Sequence, residues 1–155
     1  TEAILGQSNV TTLIYRPIQP IATVKRHLVV VPARAEKEVG FPMWVNKVWN
    51  IIHNSGAKAV FYASEDTTMY LKEIYKKRPI EAEFSSFDDW DDFLIMSREI
   101  KSDDTLWVVM SRRERLSYHA NMSRIPNYLN KYFQSNSFVL VYPIQAGETN
   151  NRYLV

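Results

Sequence analysis

Short β-branched runs alternate along the chain with segments whose apolar residues recur at helical spacing. Residues 27–33 (HLVVVPA) form a run typical of a strand that is buried on both faces. Four further strands are predicted at residues 57–64, 81–87, 104–112 and 137–143, and helices near residues 43–52, 69–75, 88–100 and 125–133. Because this alternation is typical of parallel βαβ units, the sequence predicts a three-layer α/β/α sandwich with a mainly parallel five-stranded sheet.

Individual residues predict where the helices begin and end and which rings pack inside. Gly56 stands where a left-handed residue closes the first helix, and Pro79 must end the second. Pro126 is tolerated near the first turn of the last helix. Six aromatic residues fall mostly at core-facing positions, namely Trp44, Trp49, Tyr62, Tyr70, Trp90 and Trp107.

A short motif occurs twice and divides the chain. Residues 7–9 (QSN) precede a β run that ends in YRPIQ at 15–19, and residues 134–136 (QSN) precede one that ends in YPIQ at 142–145. Both copies look like the end of one supersecondary unit, with chance similarity as the alternative. We expect residues 1–23 to be the tail of a preceding repeat, with its last helix end and last strand, plus a linker. Residues 24–146 are expected to be the α/β domain and residues 147–155 a C-terminal tail.

Composition places the chain among soluble globular proteins. Its 155 residues are 46% hydrophobic and 23% charged, with a formal net charge of only +2. So small a charge gives no broad field for attracting nucleic acid, and we expect no nucleic-acid partner. The chain has no cysteine, which excludes disulfides, thiolate metal ligands and a cysteine nucleophile. No stretch approaches the roughly 20 apolar residues of a membrane helix.

In a doubly wound sheet, ligands bind beyond the carboxyl ends of the strands, so the loops after Ala33, Ser64 and Arg112 are where chemistry is expected. A loop that cradles phosphate needs glycines, because the backbone must approach the anion closely with its N–H groups free. The segment 111–119 (SRRERLSYH) contains none, and the four glycines of the chain form neither GxGxxG nor a P-loop. We therefore expect no cofactor.

The same segment carries a candidate ligand site made of basic and polar side chains. These candidate residues are Arg112, Arg113, Arg115, Ser117 and His119. Charge-assisted hydrogen bonds from such a group would bind a small anion, a nucleotide or an acidic partner. The alternative is a solvated surface turn in which one arginine pairs with Glu114.

Two other constellations favour structure over chemistry. The acidic residues of FDDWDDF at 87–93 suit the start of a helix, where exposed N–H groups and the helix dipole favour carboxylates. Trp90 and Phe93 are expected to face the core. The histidines at 27, 53 and 119 lack paired-ligand spacing, so no metal site is predicted. Ser111, Ser117 and His119 have no identified acid partner, so we predict no catalytic residues and no enzyme activity.

Residues 104–143 carry a family resemblance, through their strand, the Ser-Arg loop, the SYH triplet, Pro126 and the closing NSFVLVYP. They resemble the cytosolic C-terminal region of bacterial cation:proton antiporters of the sodium/hydrogen exchanger type, which is built from universal-stress-protein-like domains. The segments HLVVVPARAEKEVGF, VFYASEDT and DDWDDF fit the same family, so the resemblance covers residues 24–145.

The resemblance implies a universal-stress-protein-like fold, also described as adenine nucleotide alpha hydrolase-like. It implies a membrane antiporter domain earlier in the same polypeptide, tandem stress-protein-like units on the cytoplasmic side of the bacterial inner membrane, and a regulatory role in sodium or potassium/hydrogen exchange. Such folds commonly pair through their final strand, so we expect a homodimer through SFVLVYP at 137–143.

Members of that family that bind ATP have an acidic residue after the first strand and a Gly-x-x-Gly segment followed by Gly-Ser or Gly-Thr after the fourth. Here Pro32 and Ala33 stand in place of the acid, and residues 112–119 stand in place of the glycines. This departure argues against ATP binding. The alternative is a free-standing universal stress protein that binds a nucleotide or another anion.

Overall fold

The computed structural model describes residues 11–90, 93–111 and 124–143. The strands are β1 (Thr12–Arg16), β2 (Arg26–Val30), β3 (Lys58–Ala63), β4 (Ala82–Ser86), β5 (Asp104–Val109) and β6 (Ser137–Tyr142). The α-helices are α1 (Phe41–Ser55), α2 (Glu65–Lys77), α3 (Phe93–Ser97) and α4 (Ile125–Tyr132). Two short 3-10 turns, Ile21–Thr23 and Ala35–Lys37, precede β2 and α1 respectively.

All of these strands join one sheet in the order β1-β6-β5-β2-β3-β4. Strands β2 to β6 are mutually parallel, and β1 alone runs antiparallel, against β6. From β2 the chain winds outward through β3 and β4, then returns to the other side of β2 through β5 and β6. The predicted α/β class with a mainly parallel sheet is confirmed, and the arrangement is that of a Rossmann-like sandwich.

The predicted count of five strands is wrong, because the described residues already form a sheet of six strands. The sixth is β1, which the sequence motif assigned to the tail of a preceding repeat. Its backbone pairs with β6 from Thr12 opposite Tyr142 to Arg16 opposite Phe138. An edge strand offers a row of free N–H and C=O groups, and β1 satisfies those of β6.

The C-terminal ends of α1 and α2 follow the residues that the sequence pointed to, Gly56 and Pro79. Gly56 closes α1 with a φ of 73°, a left-handed conformation that costs glycine least. Ser64 caps α2 by accepting a hydrogen bond from the backbone N–H of Thr67 at 3.3 Å. The last residue of α2 is Lys77, two residues before Pro79.

The third helix is much shorter than predicted. We expected a helix from residue 88 to 100 with aspartates at its start, whereas α3 spans Phe93–Ser97. The backbone N–H of Phe87 donates to the carbonyl of Ala63 at 3.0 Å, which continues strand pairing beyond β4 and delays the helix. Asp88 and Asp89 therefore precede α3, while residues 91 and 92 lie outside the described residues. Trp90 and Phe93 are buried, as predicted.

Helices cover both faces of the sheet and enclose two apolar layers. One layer packs α1 and α2 against the sheet, and its largest members are Trp44, Trp49, Phe61 and Trp107. The other packs α3 and α4, with members that include Phe93, Met96, Ile125, Leu129 and Phe133. The core prediction fails for Tyr70, which is 56% exposed and touches the edge of the core through the ring of Phe41.

Arg16 fastens β1 to the turn that precedes β6. Its guanidinium donates to the carbonyl oxygens of Phe133 and Asn136, the latter at 2.8 Å, and lies 4.3 Å from the ring centroid of Phe138. The backbone N–H of Ile18 donates to the hydroxyl of Ser137 at 2.7 Å. The edge of β6 that the expected homodimer was to use is therefore filled by β1. The homodimer stays a prediction, but its expected contact along β6 is occupied by β1.

In the described part of the chain, none of the helices is both long and apolar enough to cross a bilayer.

Replacing Arg16 with alanine should loosen β1. The change removes charge-assisted hydrogen bonds to two carbonyls, and the free energy of unfolding should fall by about 2 kcal/mol. Urea denaturation measures this loss. The control is Arg98→Ala, at an exposed position after α3, which should change stability by less than about 0.5 kcal/mol. Equal effects of the two substitutions would contradict the anchoring role of Arg16.

Candidate functional site

The candidate site lies where the winding of the sheet reverses, between β2 and β5. These strands are parallel neighbours, with Val30 opposite Val108, so their carboxyl ends emerge side by side. The chain leaves β2 toward one side of the sheet and β5 toward the other, which opens a crevice at this edge. The segment after β2 spans residues 31–40, and the segment after β5 begins at Met110.

The basic segment that the sequence singled out begins at this crevice. Met110 is buried and its N–H donates to the carbonyl of Val141 at 2.8 Å, and Ser111 is the next described residue. The predicted ligand residues all lie outside the described residues, namely Arg112, Arg113, Arg115, Ser117 and His119. Their position after β5 follows from the strand, and their arrangement as a binding site stays a prediction.

The loop after β2 holds a feature that the sequence did not indicate. Arg34 has a φ of 68°, the left-handed region that is unfavourable for residues with a side chain. The turn that follows stabilises this conformation, because Lys37 N–H donates to the Arg34 carbonyl at 3.0 Å and Ala35 N–H to the Pro32 carbonyl at 3.2 Å. Both Arg34 and Lys37 are exposed. Two exposed cations therefore lie on the loop that follows β2, the strand that neighbours β5.

A chain of hydrogen bonds ties this loop to the start of α2. The hydroxyl of Thr67, which is fully buried, donates to the Glu36 carboxylate at 2.6 Å. Because the Thr67 hydroxyl proton is used in the bond to Glu36, the Ser64 hydroxyl is the donor in its 3.0 Å contact with the Thr67 hydroxyl oxygen. The chain fixes the position of the β2 loop relative to α2 and leaves Ser64 as the cap of that helix.

Helix starts at this edge are poorly suited to phosphate. The first turn of α2 is capped by Ser64 and carries Glu65 and Asp66, whose charges oppose an anion. Helix α1 begins at Phe41, after the 3-10 turn, whereas a phosphate turn delivers the helix directly from its strand. These two features agree with the missing glycines and disfavour a nucleotide phosphate at this part of the edge.

Metal ligation finds no support in the part of the chain that the structure describes. No group of three or more histidine, aspartate or glutamate side chains there could hold an ion. His27 is fully buried, and His53 is exposed on α1.

The buried polar groups that sequence reasoning missed lie mainly at the opposite, amino edge. The indole N–H of Trp107 donates to Nδ1 of His27 at 3.0 Å, which requires the imidazole proton to sit on Nε2. That proton points to the hydroxyl of Ser55 at 2.9 Å, and Ser55 donates in turn to the carbonyl of Ile52 at 2.7 Å. Burial lowers the pKa of His27 to about 4, against the opposing charge of Asp104.

An ion pair completes this amino edge. The Arg26 guanidinium donates to both carboxylate oxygens of Asp104, at 3.2 and 2.6 Å, and the Asp104 side chain is only 3% exposed. The hydrogen bond to Asp104 raises the pKa of Arg26. Asn136 donates to the carbonyls of Lys101 and Asp104 at 2.7 and 3.1 Å. The sequence shows an arginine and an aspartate at the starts of two strands. It does not show that the two side chains form an ion pair, because that depends on which strands are neighbours in the sheet.

Comparison of the chain with protein-family models, with curated proteins and with solved structures returned no match.

The His27 network should make stability depend on pH. The folded-state pKa of His27 is about 4 and the unfolded-state value is 6.5, so the unfolded chain binds more protons between these values. The contribution of His27 is complete above pH 6.5 and falls by about 3 kcal/mol as pH drops to 4. Urea denaturation between pH 5 and 6.5, where carboxylates titrate little, isolates this slope.

The variant His27→Asn should flatten that slope, and the matched His53→Asn should keep it. A wild-type protein whose free energy of unfolding is constant between pH 5 and 6.5 would contradict the assignment of His27 as a buried neutral side chain.

Proposed function

We propose that this α/β domain is a non-catalytic regulatory unit of a membrane cation:proton antiporter, carried on the same polypeptide at the cytoplasmic side of the bacterial inner membrane. The attached membrane domain would exchange sodium or potassium for protons. The resemblance of residues 24–145 to universal-stress-protein-like regions of such antiporters supports the proposal. The doubly wound strand order is compatible with it.

The proposal that the domain is non-catalytic rests on the side chains at the carboxyl edge of the sheet. The loop after β2 is closed by its own 3-10 turn, and Glu36 is bonded to Thr67. The start of α2 is filled by its own serine cap and two acids. Since the described part of this edge uses these groups in internal contacts, that part is better suited to presenting a surface than to enclosing a substrate.

The exposed cations at this edge supply the chemistry for recognising a partner. Arg34 and Lys37 stand after β2, and the sequence adds the arginines of segment 112–115 after the adjacent strand β5. A surface of this kind suits an acidic segment of the membrane domain or a small anion. Regulation requires that the contact differ between two states of the transporter, with coupling free energies of typically 1–3 kcal/mol.

The second candidate is a free-standing universal stress protein that binds a nucleotide or another anion at the same cations. The unusual backbone of Arg34 favours it, since strained residues concentrate at ligand sites. The absence of glycine from the segment 111–119 weighs against a nucleotide.

Exchange measurements on the full-length protein test the regulatory function. In everted membrane vesicles, replacing Arg112, Arg113 and Arg115 with alanine should change the cation concentration for half-maximal exchange by about 5-fold or more. The control replaces three exposed helical lysines, Lys47, Lys76 and Lys77, and should leave exchange unchanged.

Two results would overturn the proposal. One is a full-length reading frame without membrane-spanning segments. The other is exchange that responds neither to the arginine variant nor to deletion of residues 24–146.

A further inference from the structure

Exposed apolar side chains cluster where helices α1 and α2 begin. Among the described residues, eight large apolar side chains are exposed, and four of them lie here, namely Val39, Met43, Met69 and Tyr70. Their exposed fractions range from 48% to 63%. A single exposed apolar residue is ordinary, whereas a contiguous group marks an interaction surface. These four residues are called the α1–α2 patch below.

The buried ring of Phe41 joins the members of the α1–α2 patch. Its centroid lies 6.3 Å from that of Tyr70, and Met69 is the preceding residue of the same helix. Val39 and Met43 stand two residues before and after Phe41, so their Cα atoms lie within about 7 Å of the Phe41 Cα. Residues from both helices and from the loop before α1 therefore form one surface around this ring.

Two cations extend the patch along the loop after β2. Lys37 is exposed two residues before Val39, and the exposed Arg34 opens the same turn. Within the described part of the chain, neither cation forms an ion pair. The acids of this loop are used internally, since Glu36 accepts a hydrogen bond from α2 and Glu38 is buried. The loop thus presents positive charge directly beside an apolar surface.

Hydrogen bonds hold the backbone of this loop in one conformation. The Arg34 carbonyl accepts from the Lys37 N–H at 3.0 Å, and the Phe41 N–H donates to the Glu38 carbonyl at 3.1 Å. The turn also keeps Arg34 at a φ of 68°, which is unfavourable for a residue with a side chain. A surface that is already in place loses little conformational freedom when a partner binds.

The charges around the patch indicate what kind of partner it fits. Glu65 and Asp66 are exposed in the first turn of α2, just before Met69, so a uniformly negative lipid surface would meet repulsion there. A small anion would contact the cations and leave the apolar side chains uncovered. An extended peptide binds along the edge of a sheet, which this helical surface lacks. An amphipathic helix supplies acids on one flank and an apolar stripe beside them.

We propose that the α1–α2 patch binds an amphipathic helix whose apolar stripe covers the four exposed side chains. Acidic residues on one flank of this helix pair with Arg34 and Lys37. The inference rests on the proposed function, in which the helix belongs to the attached membrane domain. It selects an acidic protein segment over a small anion as the occupant of this part of the carboxyl edge.

Photocrosslinking in the full-length protein tests the contact. The photoreactive residue p-benzoylphenylalanine replaces Tyr70, which is exposed enough to accept the larger ring. Membrane vesicles are irradiated, and the crosslinked peptides are identified by mass spectrometry. Position 70 should capture one amphipathic segment of the membrane domain that carries acidic residues on one flank. The control places the same residue at Tyr132, which is 59% exposed on α4, and should not capture that segment.

Removal of the two cations tests the charge pairing without endangering the fold. The double variant Arg34→Gly, Lys37→Gln keeps a residue that is suited to the left-handed backbone at position 34. The yield of the crosslink should fall by about 5-fold or more, because two charge-assisted contacts are lost. The matched double variant Lys76→Gln, Lys77→Gln removes two cations from the last turn of α2 and should leave the yield unchanged.

Three results would overturn the inference. The first is a photoreactive residue at position 70 that captures no segment beyond those captured from position 132. The second is a crosslink whose yield is the same in the cation variant and in its matched control. The third is capture of lipid, or of a second copy of this chain, in place of an acidic helix.

Capture and exchange together separate this inference from the proposed function. Exchange that responds to the arginine variant of residues 112–115, without any capture at position 70, would keep the regulatory function and remove this contact. Charge-dependent capture of an acidic amphipathic helix in a polypeptide without membrane-spanning segments would do the reverse.

Discussion

The parallel pairing of β2 with β5 is the contact on which the rest of the structure depends. It joins two parts of the chain about 80 residues apart, from Arg26 opposite Asp104 to Val30 opposite Val108. At its amino end the Arg26–Asp104 ion pair and the His27–Trp107 hydrogen bond hold the two strands together. At its carboxyl end the same pairing creates the crevice of the candidate site. One contact therefore supports the fold at one edge and positions the candidate site at the other.

This arrangement separates the buried polar groups that stabilise the fold from the candidate site. At the amino edge, His27, Asp104 and Asn136 are buried and hydrogen-bonded, so losing any one partner leaves a costly unsatisfied group. At the carboxyl edge, the exposed cations Arg34 and Lys37 lie on a loop that is braced internally. Residues on such a loop can change a binding preference with little effect on the core, as is usual for sites on a rigid scaffold.

Local residue chemistry explains how much of the fold the sequence predicts. The β-branched run of β2 and the glycine that closes α1 determine their elements within a few residues, so the parallel strands and most helices were predicted. Contacts between segments that are distant in the sequence were not predicted. The late start of α3 goes with the Phe87–Ala63 hydrogen bond, and the His27 network depends on which strand lies beside β2. The place of the candidate arginines after β5 was predicted from the strand pattern. The left-handed backbone of Arg34 was not predicted, because the usual sequence signal for that conformation is a glycine and none stands there.

We propose that the carboxyl edge serves as a contact surface and is not a nucleotide pocket. Thermal denaturation of the 155-residue chain with and without ATP and magnesium tests it most directly, because a ligand that binds the native state raises the melting temperature. We expect an unchanged melting temperature at millimolar ATP. A saturable rise that Arg113→Ala abolishes would contradict the claim and place a nucleotide site at this edge.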